Sequence, residues 1–86
     1  MRMVGLERQF NEIGFIKKVA KARGWRIEEK DSLNFTIWIN NTDCIKRNEF
    51  PTPRGSSTRW MIQKTDYLKT CGFDEILGEL NGLMNN

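Results

Sequence analysis

Between Leu33 and Asn40 the chain alternates apolar and polar positions without a break. Leu33, Phe35, Ile37 and Ile39 fall on one side, and Asn34, Thr36, Trp38 and Asn40 on the other. That period of two is the pattern of a strand with one buried face. A weaker alternation, Trp25, Ile27, Glu29, precedes it, with the turn-tolerant Lys30-Asp31-Ser32 between. The pattern predicts a β-hairpin over residues 25–40. Trp38 is its one large aromatic on the polar side.

Before the hairpin the period changes. Leu6, Phe10, Ile13, Ile16 and Ala20 recur at helical spacing, with Phe15 and Val19 widening the stripe. Gly24 follows, suited to the left-handed cap of a helix. Lys17, Lys18, Lys21 and Arg23 crowd the last turns, where cations complement the helix dipole. The spacing predicts a helix over 4–23. After the hairpin, residues 41–57 hold Pro51, Pro53, Gly55, Ser56 and Ser57 and read as a loop tipped by Arg54, with Cys44 to Arg47 as a short strand extension. Residues 58–64, TRWMIQK, read as a third strand. Thr65 then caps a C-terminal helix over 65–84, broken at Gly72, with Ile76, Leu77, Leu80, Leu83 and Met84 in its second part.

The expected architecture is a single small α+β domain of order α-β-β-β-α. Three antiparallel strands pack both helices on one face and bury Phe10, Ile13, Ile37, Ile39, Ile62, Leu68 and Leu77 together. The double-stranded-RNA-binding fold and some small toxins share this order. The lysine cluster that the RNA-binding family places at the start of its last helix is absent, since Lys64 and Lys69 stand alone.

Composition narrows the functional classes. With 38% apolar residues the 86-residue chain is too apolar for disorder. The net charge is +3, and all 14 Lys and Arg lie in residues 1–70. The last sixteen positions carry only the acidic Asp74, Glu75 and Glu79, so the body of the chain favours an anionic partner. The absence of His removes the usual zinc sites and every His-based acid–base pair. Two cysteines are too few for a disulfide scaffold. No leader or membrane-spanning stretch is apparent, which places the chain in the cytoplasm.

Three constellations carry possible chemistry. Glu28-Glu29-Lys30 resembles the Glu-x-Lys triplet of metal-dependent nucleases, but the Asp those enzymes take from a neighbouring strand has no counterpart. Charge pairing across the hairpin is the plainer reading. Cys44 lies near Lys46 and Arg47, yet no base accompanies it, as a cysteine nucleophile requires. The remaining constellation is cations interleaved with aromatics, which supply charge for phosphates and faces for bases. Its candidate residues are Lys17, Lys18, Lys21, Arg26, Trp38, Lys46, Arg47, Arg54 and Arg59. The competing reading makes Trp25 and Trp60 core anchors and the cations a solvated face.

The sequence therefore points away from an enzyme, with no cofactor or metal implied. It points to a nucleic-acid-binding module, monomeric or homodimeric, for DNA or RNA. The alternative is a small phage or mobile-element protein that modulates a host protein complex through its loop and sheet face, because Trp and Arg dominate interface hot spots.

Overall fold

The computed structural model describes residues 4–84, with side chains from Phe10 to Gly82. The side chains of Leu6, Leu83 and Met84 lie outside the described residues. The chain runs α1 (Val4–Arg23), β1 (Arg26–Glu29), β2 (Phe35–Trp38), β3 (Cys44–Thr52), β4 (Gly55–Gln63), β5 (Leu68–Cys71) and α2 (Phe73–Met84). The five strands form one antiparallel meander in the order β1-β2-β3-β4-β5. The molecule is an α+β domain with a five-stranded sheet, where three strands were expected. With five strands, the order no longer matches the double-stranded-RNA-binding arrangement.

Helix α1 ends where the sequence requires. Gly24 adopts φ +73°, its N–H donates to the Lys21 carbonyl, and the Trp25 N–H donates to that of Ala20. These two bonds make a Schellman cap. Beyond the adjoining residues, no heavy atom lies within 4 Å of where a Gly24 Cβ would stand, so substitution there meets backbone strain alone. Gly24→Ala is expected to lower stability by about 1–2 kcal/mol, read from the urea midpoint.

The β1–β2 turn is organised by one carboxylate. Asp31 Oδ1 accepts from the backbone N–H of Leu33 and of Asn34, each at 2.9 Å, and from Asn34 Nδ2. The Asn34 amide, followed by the Leu33 N–H, holds the Asp31 carboxyl below its ordinary value of 3.8. A group with a depressed folded pKa adds stability that is present above the unfolded value and lost as pH falls through the folded one. The Leu33 and Asn34 amide resonances are therefore expected to titrate with a midpoint below 3.8, a response that Asp31→Asn removes.

The segment expected to be a loop is mostly strand. β3 and β4 pair over nine positions, from Cys44↔Gln63 to Thr52↔Gly55. Pro53 and Arg54 form the turn. Arg54 has no positive φ, and Gly55 follows at φ +125°. Proline second and glycine fourth suit a type I turn. Thr52 Oγ1 accepts from the Arg54 N–H and donates to the Gly55 carbonyl. Pro51 is tolerated within β3 because of parity. The Glu49 N–H, two residues earlier, points away from β4 and donates to Asn34 Oδ1 at 2.7 Å. Pro51 shares that outward orientation, so no β3–β4 ladder bond is lost.

Beyond Arg47 on β3 and Trp60 on β4 neither neighbouring strand continues. Asn48–Thr52 and Gly55–Arg59 therefore project as a two-stranded ribbon, in a molecule measuring 42 × 24 × 22 Å.

The expected C-terminal helix is also divided. Lys64 N–H donates to the Tyr67 carbonyl at 2.8 Å, closing a tight turn that leads into β5. The Gly72 carbonyl then accepts from the Glu75 and Ile76 N–H groups at the start of α2. Lys64 pairs with Glu79 and Lys69 with Glu75, tying α2 to the sheet.

Both helices cover one face of the sheet. The core joins Ile13, Ile16 and Ala20 of α1, Phe35, Ile37, Ile45, Trp60 and Ile62 of the sheet, and Ile76 and Leu80 of α2. Ile39 and Leu77 pack at its margin. The Trp60 ring lies 6.2 Å from that of Phe35 and 5.1 Å from that of Phe73. Two expected core residues are outside. Phe10 is 61% exposed, and among the described residues of α1 the first to reach the core is Ile13. Leu68 is 59% exposed, because it sits on an edge strand facing away from the helices. No helix among the described residues is long and apolar enough to cross a membrane.

Candidate nucleic-acid interface

Paired residues of antiparallel strands share a face, so the register divides the sheet without ambiguity. Ile27, Ile37, Ile45 and Ile62 mark the covered face. Arg26 opposite Trp38, Thr36 opposite Lys46, Lys46 opposite Met61 and Asn48 opposite Arg59 mark the open one. Phe50, two residues beyond Asn48, lies on the open face as well.

Four expected contact residues thus meet on one surface: Arg26, Trp38, Lys46 and Arg59. Each arginine stands over a ring. The Arg26 guanidinium is 5.4 Å from the Trp38 centroid, and that of Arg59 is 5.1 Å from the Phe50 centroid. A planar guanidinium held over an aromatic face keeps its in-plane N–H donors free for phosphate. Arg26 also pairs with Glu28 at 3.3 Å. Glu28 is the one carboxylate that strands β1–β5 place on this face, against three cations.

The spacing of those cations follows from the register. Lys46 is two strands and two residues from Arg26, and Arg59 is one strand and two residues further. At ~4.8 Å between strands and ~3.3 Å per residue, the steps are about 12 Å and about 8 Å. The three cations therefore make a diagonal track of about 20 Å across the sheet, with Trp38 beside one end and Phe50 beside the other.

The other expected residues lie elsewhere. Lys17 belongs to the helix layer. It pairs with Glu29, reaches the Ser32 carbonyl and stands 4.7 Å from the centre of the Phe35 ring. Lys18 and Lys21 are exposed on α1, across the sheet from the open face. Arg54 is exposed at the ribbon tip.

Arg47 is the clear correction. It is 0% exposed and cannot reach an external phosphate. It sits on the covered face opposite Phe35 and Trp60, because side chains alternate and Lys46 takes the open side. Its Nη1 donates to the Leu33 carbonyl at 2.7 Å and lies 3.8 Å from Glu49, and its guanidinium is 5.4 Å from the Trp60 centroid. Burial pulls its pKa below the ordinary arginine value, with Glu49 opposing.

Glu28 and Glu29 point to opposite faces, as neighbours on a strand must, so they do not converge on a common ligand. Cys44 is buried on the open side between Trp38 and Gln63 in register, and burial pushes its thiol up. Burial raises the Cys71 thiol too. Phe50 and Met61 belong to the open face and had no place among the expected contacts. The signal that locates them is the Thr52-Pro-Arg-Gly55 turn, which fixes the register of β3 against β4.

Compared with known proteins, the chain matches no family model, and no curated protein or solved structure matches it significantly.

Proposed function

We propose that this chain is a small non-enzymatic nucleic-acid-binding module, and that the open sheet face is its contact surface. The observation that carries the reading is the one-sided placement of Arg26, Lys46 and Arg59 on a helix-free face, two of them held over aromatic rings. Cations on such a face neutralise phosphates and release counterions, and the rings offer π-faces to bases. Anisotropy of labelled DNA and RNA, titrated with the protein between about 50 and 200 mM salt, tests it. Three phosphate contacts to a single strand give a log–log slope of about −2. Lys46→Gln is expected to weaken every sequence alike and to reduce the slope by about 1. Absence of binding at low salt would sink the reading.

A second reading has the projecting β3–β4 ribbon favouring it. Beyond Trp60 its β4 edge has no neighbouring strand, and Arg54 stands exposed at its tip. It assigns the chain a protein partner engaged through the ribbon. Its mark is stoichiometric binding to a protein that Arg54→Ala abolishes and salt barely changes.

A further inference from the structure

We infer that the ligand of the open face is a single strand, with one unstacked base lodged at the Trp38 end. The inference rests on the nucleic-acid reading above and specifies its substrate class. Three features favour a single strand over a duplex.

The first is the chemistry of the track. Its three cations run between two aromatic rings on a pleated surface, and a ring can stack only on a base whose face is free. In a duplex those faces are covered by neighbouring bases. The second is its length. A diagonal of about 20 Å with an aromatic beside each end matches a short extended strand, near the ~4-nucleotide lower limit of site sizes for OB-fold single-strand binders.

The third is a cleft at one end of the track. It has a volume of about 360 Å³ and is lined in part by Trp25, Arg26, Trp38, Asn40 and Asn41. Clefts of ~300 Å³ and above are the size class that takes small organic groups. Its lining holds aromatic surface, a cation and side-chain amides, the set that stacks on a base, holds its phosphate and bonds its edge. The Asn40 amide is already committed to the β2–β3 turn, where its Oδ1 accepts from the Thr42 and Asp43 N–H groups. Asn41 is exposed. Trp38 Nε1 is shielded from solvent and has no hydrogen-bond partner among the described residues, so the ring meets the cleft with its carbon surface.

Arg26 then serves two ends of the same nucleotide. It lines the cleft, and it stands over the Trp38 ring at the start of the cation track. The strand runs from this cleft past Lys46 to Arg59, where Phe50 offers the second stacking surface. Glu28 lies 3.3 Å from the Arg26 guanidinium in the free protein.

The test compares a labelled single-stranded octanucleotide, as DNA and as RNA, with the blunt duplex of the same sequence and with a dinucleotide. Tryptophan emission is followed alongside anisotropy. The expected result is a single strand bound at least tenfold more tightly than its duplex, with a change in tryptophan emission. Phe50→Leu should weaken the octanucleotide about tenfold while leaving the dinucleotide unchanged. Trp38→Leu should weaken both. Because Trp38 is half-buried, Asn41→Ala supplies a second variant at the cleft, expected to lower dinucleotide affinity without altering the fold. Equal or tighter binding of the duplex, with salt dependence retained, would overturn the single-strand inference and leave the nucleic-acid reading standing. Failure of every polymer to bind at low salt would overturn both.

Discussion

Replacing Arg47 by alanine is expected to cost about 3–5 kcal/mol, the usual penalty for removing one partner of a buried ion pair. The chain has little to spare, because small domains hold about 5–15 kcal/mol in all. The loss has several sources. A cavity opens beside Phe35 and Trp60, the two aromatics opposite Arg47 in the register. The Leu33 carbonyl loses a donor at 2.7 Å, and Glu49 loses its nearby cation. Against this stands the cost of burying the guanidinium, two of whose nitrogens, Nε and Nη2, are shielded without a partner. An apolar side chain of similar length removes that cost and keeps the volume filled. Arg47→Met combined with Glu49→Gln is therefore expected to recover most of the loss. Urea unfolding with an unchanged m-value checks both variants. An Arg47→Ala protein within about 1 kcal/mol of the parent would contradict the buried role. The Met–Gln variant also separates structure from function, since it should keep its affinity for nucleic acid.

Reversing charge at Lys46 and Arg59 together should remove nucleic-acid binding. Each site loses about 1 kcal/mol of attraction and gains a like repulsion at the dielectric of bulk water. The total of about 4 kcal/mol corresponds to a loss on the order of 1000-fold. Arg26 is left in place because a carboxylate there would replace its pairing with Glu28 by like-charge repulsion. Stability should change by about 0.5 kcal/mol per site or less, as both side chains stand on the open face away from the core. A thermal unfolding curve confirms that the variant is folded. Arg54→Glu at the ribbon tip is the useful contrast. It tells whether the cation that lies off the diagonal track contributes.

Much of the fold can be read from local pattern, and the parts that cannot have identifiable causes. Ile13, Ile16 and Ala20 follow helical spacing, and Gly24 stops the helix by a cap that only local geometry demands. β1, β2 and their turn follow from strict alternation and from Asp31. The β3–β4 hairpin is hidden because its inward positions include Arg47 and Glu49, which erase the apolar alternation. Pro51 and Pro53 also resemble breakers, and only hydrogen-bond parity shows that Pro51 does no harm. β5 is hidden because Thr65 and Asp66, which close a turn, are equally good helix caps. Asp74 falls inside the first turn of α2, where it complements the dipole.

The candidate site was half legible for the same reason. Alternation along β2 puts Trp38 opposite Phe35, so covering Phe35 with helices frees Trp38. Helical period alone says nothing of which side of a sheet a helix occupies, and Lys17, Lys18 and Lys21 consequently entered the expected surface. Strand parity, invisible until β3 is recognised, sends Lys46 outward and Arg47 inward. Phe50 and Met61 become part of the face by that same parity.

The most direct measurement is an amide and indole NMR titration of the labelled protein with a single-stranded octanucleotide at low salt. The account predicts shifts confined to the open face. Arg26, Trp38 with its indole N–H, Lys46, Phe50, Arg59 and Met61 should move together, and Lys18 and Lys21 on α1 should not. Shifts centred on α1, or on the ribbon tip alone, would contradict the assignment of the open sheet face as the contact surface.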